Sequence, residues 1–131
     1  MAEDLVAWLR ACLDEDEDIA KRAGFGWGPS WVEETVDDWS YVHADGKRDM
    51  VGSEDHDVTT HIARHDPASV LADVAAKRAL IDLHDVGEAT DAAMNEYPWC
   101  GECGLTGPCR TLRVLATAYA GRPGWQEEWR G

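Results

Sequence analysis

Three cysteines within ten residues place the strongest constraint on how this chain can fold. Cys100 and Cys103 are separated by two residues, Gly104 follows the second cysteine, and Cys109 comes soon after. The first two thiolates can meet at one ion across a tight turn in which Gly104 takes the left-handed conformation. Because Zn²⁺ prefers four tetrahedral ligands from cysteine and histidine, this spacing predicts a zinc knuckle that needs a fourth ligand.

We predict that the fourth ligand is His84. Apolar residues recur at helical spacing from Pro67 to about His84, which places this histidine on the stripe that faces the core. It lies close enough before Cys100 for the chain to fold back. A site of three cysteines and one histidine has no open position for water, so the zinc would be structural. The alternatives for the fourth ligand are Cys12, His61 and His65.

His61 and His65 support a different function. They lie four residues apart, on one face of a predicted helix. Two histidines at this spacing can bind a metal with an open coordination position, as in metal-dependent hydrolases. The glutamate of the His-Glu-x-x-His pattern is replaced by Ile62, which favours packing and capping roles for the pair. Since no nucleophile elbow, phosphate loop or dinucleotide glycine pattern is present, we expect no enzymatic activity.

The charge of the chain limits its partners. Twelve basic and 26 acidic residues give a formal net charge of −14, which repels nucleic-acid phosphate and anionic lipid. We therefore expect neither direct nucleic-acid binding nor membrane binding, and we expect a protein partner. Seven tryptophans could supply interface anchors. An acidic mimic of nucleic acid, or a phage-encoded inhibitor of a host protein, is a further alternative. Partner identity and oligomeric state stay open.

The fold class predicted from the sequence is α+β. With 131 residues and 44% hydrophobic content, we expect a mainly helical single domain over residues 1–131, with a small antiparallel β-hairpin sheet and a zinc knuckle. The turn signal of the hairpin is Asp45-Gly46. Residues 87–95 are ambiguous and compatible with a helical turn. Helices are predicted over residues 4–23, 58–65 (capped by Asp57), 67–84 (capped by Asp66) and after Cys109, and two or three strands within residues 30–51.

Several segments together resemble a known family. They are residues 61–67, 70–71, 76–78 and 109–113, with the tail from 119 to 130 and the start at 4–10. This set resembles a family of small actinobacterial and actinophage proteins described only as a domain of unknown function. The resemblance implies a bacterial or phage origin and brings no catalytic residues with it.

The reduced thiols that zinc requires, and the lack of an apolar run long enough for a membrane span or a secretion signal, lead us to expect a cytoplasmic location. The function favoured by the sequence is that of a non-enzymatic, zinc-stabilised small accessory or interaction protein that acts through protein binding.

Overall fold

The computed structural model describes residues 2–44 and 49–130, and it confirms the α+β class. Buried residues recur at helical spacing in α1 and alternate along β2. No helix within the described ranges is long and apolar enough to cross a bilayer. The elements are α1 (Ala2–Trp27), β1 (Trp31–Val36), β2 (Trp39–Ala44), β3 (Asp49–Ser53), α2 (His56–Arg64), α3 (Pro67–Leu83), β4 (Val86–Thr90), β5 (Glu96–Cys100), β6 (Leu105–Thr106), α4 (Arg110–Thr117) and a 3₁₀ turn (Glu127–Trp129).

The chain divides into two compact units. Unit A comprises the described residues of Met1–Asp14 and Ala76–Gly131, and unit B comprises those of Glu15–Ala75. The prediction of one domain over residues 1–131 stays a prediction. The four residues predicted to bind zinc all belong to unit A.

The first turns of α1 build the core of unit A. Leu5, Leu9 and Leu13 are fully buried at a spacing of four residues, as the helical pattern predicts. Ile81 of α3 and Leu112 of α4 are also fully buried. At about 25 cal/mol for each Å² of apolar surface removed from water, such residues supply most of the stabilisation available to a unit of this size.

Polar and aromatic contacts join the C-terminal segment of unit A to α1. The rings of Trp8 and Trp129 lie 5.2 Å apart, and those of Trp8 and Trp125 lie 5.6 Å apart. Trp8 Nε1 donates to Pro123 O at 2.9 Å, and Arg122 donates to Cys12 O at 3.2 Å. Both tryptophans of the C-terminal segment therefore pack on α1.

Unit B contains a three-stranded antiparallel sheet in the order β1-β2-β3. Ser40, Val42 and Ala44 are buried on its inner face, and α2 contacts all three strands. The aromatic residues that alternate with them in β2 point to the other face, since neighbouring residues in a strand point to opposite sides. The predicted Asp45-Gly46 turn lies outside the described residues, but the strands that flank it pair as expected.

Two helix boundaries were predicted wrongly. Helix α1 ends at Trp27 rather than near Ala23, because the left-handed turn comes only at Gly28, whose φ is 87° and whose N–H donates to Gly24 O. Helix α2 begins at His56 and its cap is Asp55, not Asp57. The Asp55 carboxylate accepts from the Asp57 N–H at 2.9 Å, so the acidic residue two positions earlier takes the capping role.

Asp66 caps α3, as predicted, and it also anchors β1 within unit B. One carboxylate oxygen accepts from Ser69 N–H at 2.8 Å, and the other accepts from Trp31 N–H at 3.0 Å. Burial of this carboxylate raises its pKa, but hydrogen bonds from the Trp31 and Ser69 N–H groups and from the Ser69 side chain outweigh burial, so the pKa of Asp66 lies below the ordinary 3.8. The ionised side chain therefore stabilises the folded state.

We predict that Asp66→Ala lowers the free energy of unfolding by about 1–2 kcal/mol, the usual value for a lost helix cap. Asp66→Asn should cost less, because its amide oxygen can still accept one of the two bonds. The folded-state pKa is lowered, so the stabilisation by ionised Asp66 is fully present above pH 3.8 and is lost as the pH falls through the lower folded-state pKa. Urea unfolding across pH should show the wild type and Asp66→Asn converging in acid; a gap that does not change with pH would contradict this.

Candidate metal centre

His84 stands at the end of α3, where the last turn fixes its backbone. Its N–H donates to both Leu80 O and Ile81 O at 3.2 Å. The side chain is half-buried, and it follows the fully buried Ile81 by three residues on the inward stripe. The predicted helical stripe therefore does bring this histidine towards the interior of unit A.

A second antiparallel sheet, in the order β4-β5-β6, positions Cys100. Cys100 is the last residue of the central strand, and it pairs with Val86 on one side and Leu105 on the other. The hypothesis of a helical turn in residues 87–95 was wrong, because this segment supplies most of β4 and the connection to β5. The Asp91 carboxylate fixes that connection by accepting from the N–H groups of Ala93 and Asn95.

The connection between β5 and β6 is the predicted knuckle. Gly104 has a φ of 66°, and its N–H donates to Cys100 O at 2.9 Å, so the left-handed conformation predicted for this glycine is confirmed. The N–H of Cys103 points at Cys100 Sγ at 3.5 Å. This hydrogen bond stabilises negative charge on the Cys100 sulfur, as a metal-bound thiolate requires.

Cys109 occupies the N-cap position of α4, with φ −71° and ψ 167°. Its sulfur therefore lies at the N-terminal end of α4. The chain reaches this point through buried Gly107, whose N–H donates to Pro98 O at 3.0 Å. A side chain at Gly107 would meet Val86 Cγ1 at 2.9 Å, so the approach of this loop to β4 requires glycine.

The four predicted ligands converge on one point. Their donor atoms all lie within 4.8 Å of one another, and the group could hold a metal ion. His84 Nδ1 lies 3.6 Å from Cys100 Sγ, 3.3 Å from Cys103 Sγ and 3.6 Å from Cys109 Sγ. A tetrahedral zinc with Zn–S bonds of about 2.3 Å and a Zn–N bond of about 2.05 Å would hold nitrogen and sulfur about 3.6 Å apart. The observed spacing fits that ion.

The electrostatics of the three thiols also fit a cation at their centre. Desolvation and the neighbouring Cys109 and Cys100 sulfurs raise the pKa of Cys103 to about 11. Burial opposes ionisation of Cys109, but hydrogen bonds from the Leu112 N–H and from the other thiols outweigh it and lower its pKa. Adjacent thiolates repel one another, so full ionisation needs a bound cation, and metal binding must release protons.

The other residues considered as ligands lie elsewhere. His84, Cys100, Cys103 and Cys109 are the only group of three or more potential metal ligands among the described residues, and Cys12 is not part of it. His61 and His65 are exposed, with rings 4.3 Å apart. His65 Nδ1 lies 2.8 Å from His61 O, so this nitrogen carries a proton that it donates to the carbonyl. The pair thus has a local structural role within α2.

A polar cluster in unit B was missed by the sequence analysis. Ser40, Glu33 and His56 come together, with Ser40 Oγ 3.4 Å and Glu33 Oε1 3.0 Å from the same atom, His56 Nδ1. A catalytic triad needs the serine and the acid on opposite nitrogens of the imidazole, so this arrangement does not activate Ser40. These residues lie far apart in sequence, and no motif indicated their proximity.

A family described as a family of unknown function, DUF6221, matches residues 2–131. No curated protein and no solved structure matches the chain.

We predict that Gly107→Ala destabilises unit A by about 1–3 kcal/mol, because its Cβ would overlap Val86 Cγ1 in a close-packed region. Removing that atom with Val86→Ala should shrink the effect of the glycine substitution in the double variant. Gly101→Ala is the matched control, since a Cβ there meets nothing within 4 Å. Urea unfolding is measured for the wild type, the three single variants and the double variant; a Gly107→Ala effect equal to that of Gly101→Ala would contradict the steric explanation.

Proposed function

The chain belongs to the DUF6221 family, whose function is unknown, and we propose that it is a non-enzymatic, zinc-stabilised accessory protein that acts by binding another protein. The observation that carries this proposal is the convergence of three cysteine sulfurs on His84 Nδ1. Four protein donors complete a tetrahedron around zinc, which leaves no position at which the metal could activate water.

The donor set supports zinc over the other common cations. Thiolate and imidazole ligands suit zinc and iron–sulfur chemistry, whereas Mg²⁺ and Ca²⁺ take oxygen ligands. Three cysteine sulfurs and one histidine nitrogen arranged as a tetrahedron are typical of structural zinc sites. The proposed zinc ligation requires reduced cysteines, which supports a reducing compartment and therefore the cytoplasm.

The location of the ligands explains what the zinc would stabilise. One ligand follows α3, two lie at the β5-β6 turn, and one begins α4. The ion would therefore join the ends of three elements of unit A at one point, in addition to the apolar core that they share. Because the site is not formed in an unfolded chain, the free energy of zinc binding would contribute to folding.

The surface charge of the protein supports a protein as its partner. The net charge of −14 disfavours nucleic acid and anionic lipid as partners. The described residues assemble neither a second metal cluster nor a serine activated by a histidine, which leaves binding as the better supported role.

We predict one zinc per chain in untagged protein, measured by elemental analysis. His84→Ala and Cys109→Ser should lose zinc or bind it at least about tenfold more weakly. Even the loss of a residue that only supports a metal ligand weakens metal affinity by about tenfold, and these variants remove a ligand itself. His61→Ala is the matched control and should retain one zinc. A second metal, or one lost with His61→Ala, would favour the hydrolase alternative; no metal would remove the proposal.

A further measurement tests whether the site is closed. The Co²⁺ form should show the intense visible bands of tetrahedral cobalt together with sulfur-to-cobalt charge transfer, and added azide should leave both unchanged. An open position would bind the anion and shift the bands. Chelation of the metal should also lower the urea midpoint of the wild type but leave that of apo Cys109→Ser unchanged.

A further inference from the structure

The outer face of the sheet in unit B carries an open depression of about 650 Å³. It lies where β1 turns into β2, on the side of the sheet opposite the buried residues Ser40 and Val42. We call this feature the Trp39 depression. Its lining consists of Val36, Asp37, Asp38, Trp39, Tyr41 and Glu54.

Two aromatic rings form the apolar part of the Trp39 depression. The ring centroids of Trp39 and Tyr41 lie 6.5 Å apart, and the ring planes are inclined by 55°. Trp39 is 39% exposed, although an indole of its size would ordinarily be covered by packing. The rings are inclined to each other, so a ligand can contact the face of one and the edge of the other.

Gly52 on β3 is what allows the indole to take this position. It pairs with Tyr41, and a Cβ built on Gly52 would overlap Trp39 Nε1 and lie 3.3 Å from Tyr41 Cδ1. Any other residue at this position would displace the indole. The indole of Trp39 therefore packs directly against the backbone of Gly52, and its ring lies over β3.

Carboxylates surround the rings. Asp37 and Asp38 form the β1-β2 turn, and Glu54 follows β3. Within residues 2–44 and 49–130, no lysine or arginine forms an ion pair with any of the three. The depression thus combines π faces with negative charge, which is the chemistry that recognises an organic cation.

We propose that the Trp39 depression binds an arginine side chain of a basic segment in the partner protein. A guanidinium can stack on the indole and donate paired N–H bonds to a carboxylate at the same time, which a lysine ammonium cannot do. The charge of the surrounding protein, −14 in total, complements such a segment and steers it to the surface. This inference rests on the protein-binding part of the proposed function and names the chemistry of its partner.

The test uses full-length zinc-loaded protein and an acetylated, amidated peptide of alternating arginine and glycine. Titration is followed by NMR of the indole N–H signals, with the Trp39 signal assigned from Trp39→Phe. We expect the Trp39 signal to shift in a saturable way. Trp39→Ala should raise the dissociation constant about tenfold, since it removes the aromatic face from the cation. Gly52→Ala should weaken binding similarly without changing any charge, whereas Gly121→Ala, whose Cβ meets open space, should not.

Charge is tested separately. Asp37→Asn/Asp38→Asn should weaken binding about three- to fivefold, the size expected for exposed ion pairs. Asparagine suits position 37 because the backbone there has a φ of 55°, so the turn is kept. Glu88→Gln/Glu96→Gln removes the same charge from exposed residues that do not line the Trp39 depression and should change affinity by less than about twofold.

The outcomes separate the hypotheses. Equal weakening by both double variants, or unchanged binding by Trp39→Ala, would show non-specific attraction to an acidic protein and overturn the site. Equal binding of a lysine peptide would overturn the preference for arginine. Zinc content is measured on the same samples, so a failure of the Trp39 depression with one zinc still bound is distinct from a failure of the zinc proposal.

Discussion

The contact between one histidine nitrogen and three sulfurs brings together the ends of three elements of unit A. His84 Nδ1 lies within 3.6 Å of each of the Cys100, Cys103 and Cys109 sulfurs. Four polar groups at this distance, two of the sulfurs on buried residues, would leave unionised thiols in a crowded polar pocket if nothing bound between them. A cation bound between the four groups would form a favourable bond with each of them. The close packing of these side chains therefore also suits a metal ion.

Each part of the ligand set relies on backbone that is fixed for another reason. The leucine stripe of α1 and the buried Ile81 position α3, while pairing of Cys100 with strands on both sides holds β5. Gly107 then allows the chain to approach Val86 on its way to the N-cap of α4. The residues that hold the ligands in place are therefore positioned by helix packing, by strand pairing and by the close approach of Gly107 to Val86.

Much of this could be predicted from the sequence, because the strongest signals are local. The Cys-x-x-Cys spacing with its glycine gave the knuckle, and helical periodicity brought His84 to the right face of α3. Strand β4 could not be predicted. The segment 86–90 is short and contains Gly87 and Ala89, which have low strand propensity, so its conformation comes from pairing with β5. The grouping of Glu33, Ser40 and His56 depends on tertiary packing, which no sequence spacing reveals.

The packing of Trp39 against Gly52 has an evolutionary consequence. Because a Cβ at position 52 would overlap the indole, the two positions cannot mutate independently while the ring stays in place. Within the family, a relative that keeps tryptophan at the position of Trp39 should keep glycine opposite it, and loss of the tryptophan should release the glycine. Covariation between these two sites would thus record whether the aromatic surface has been selected, in a family for which no activity is yet known.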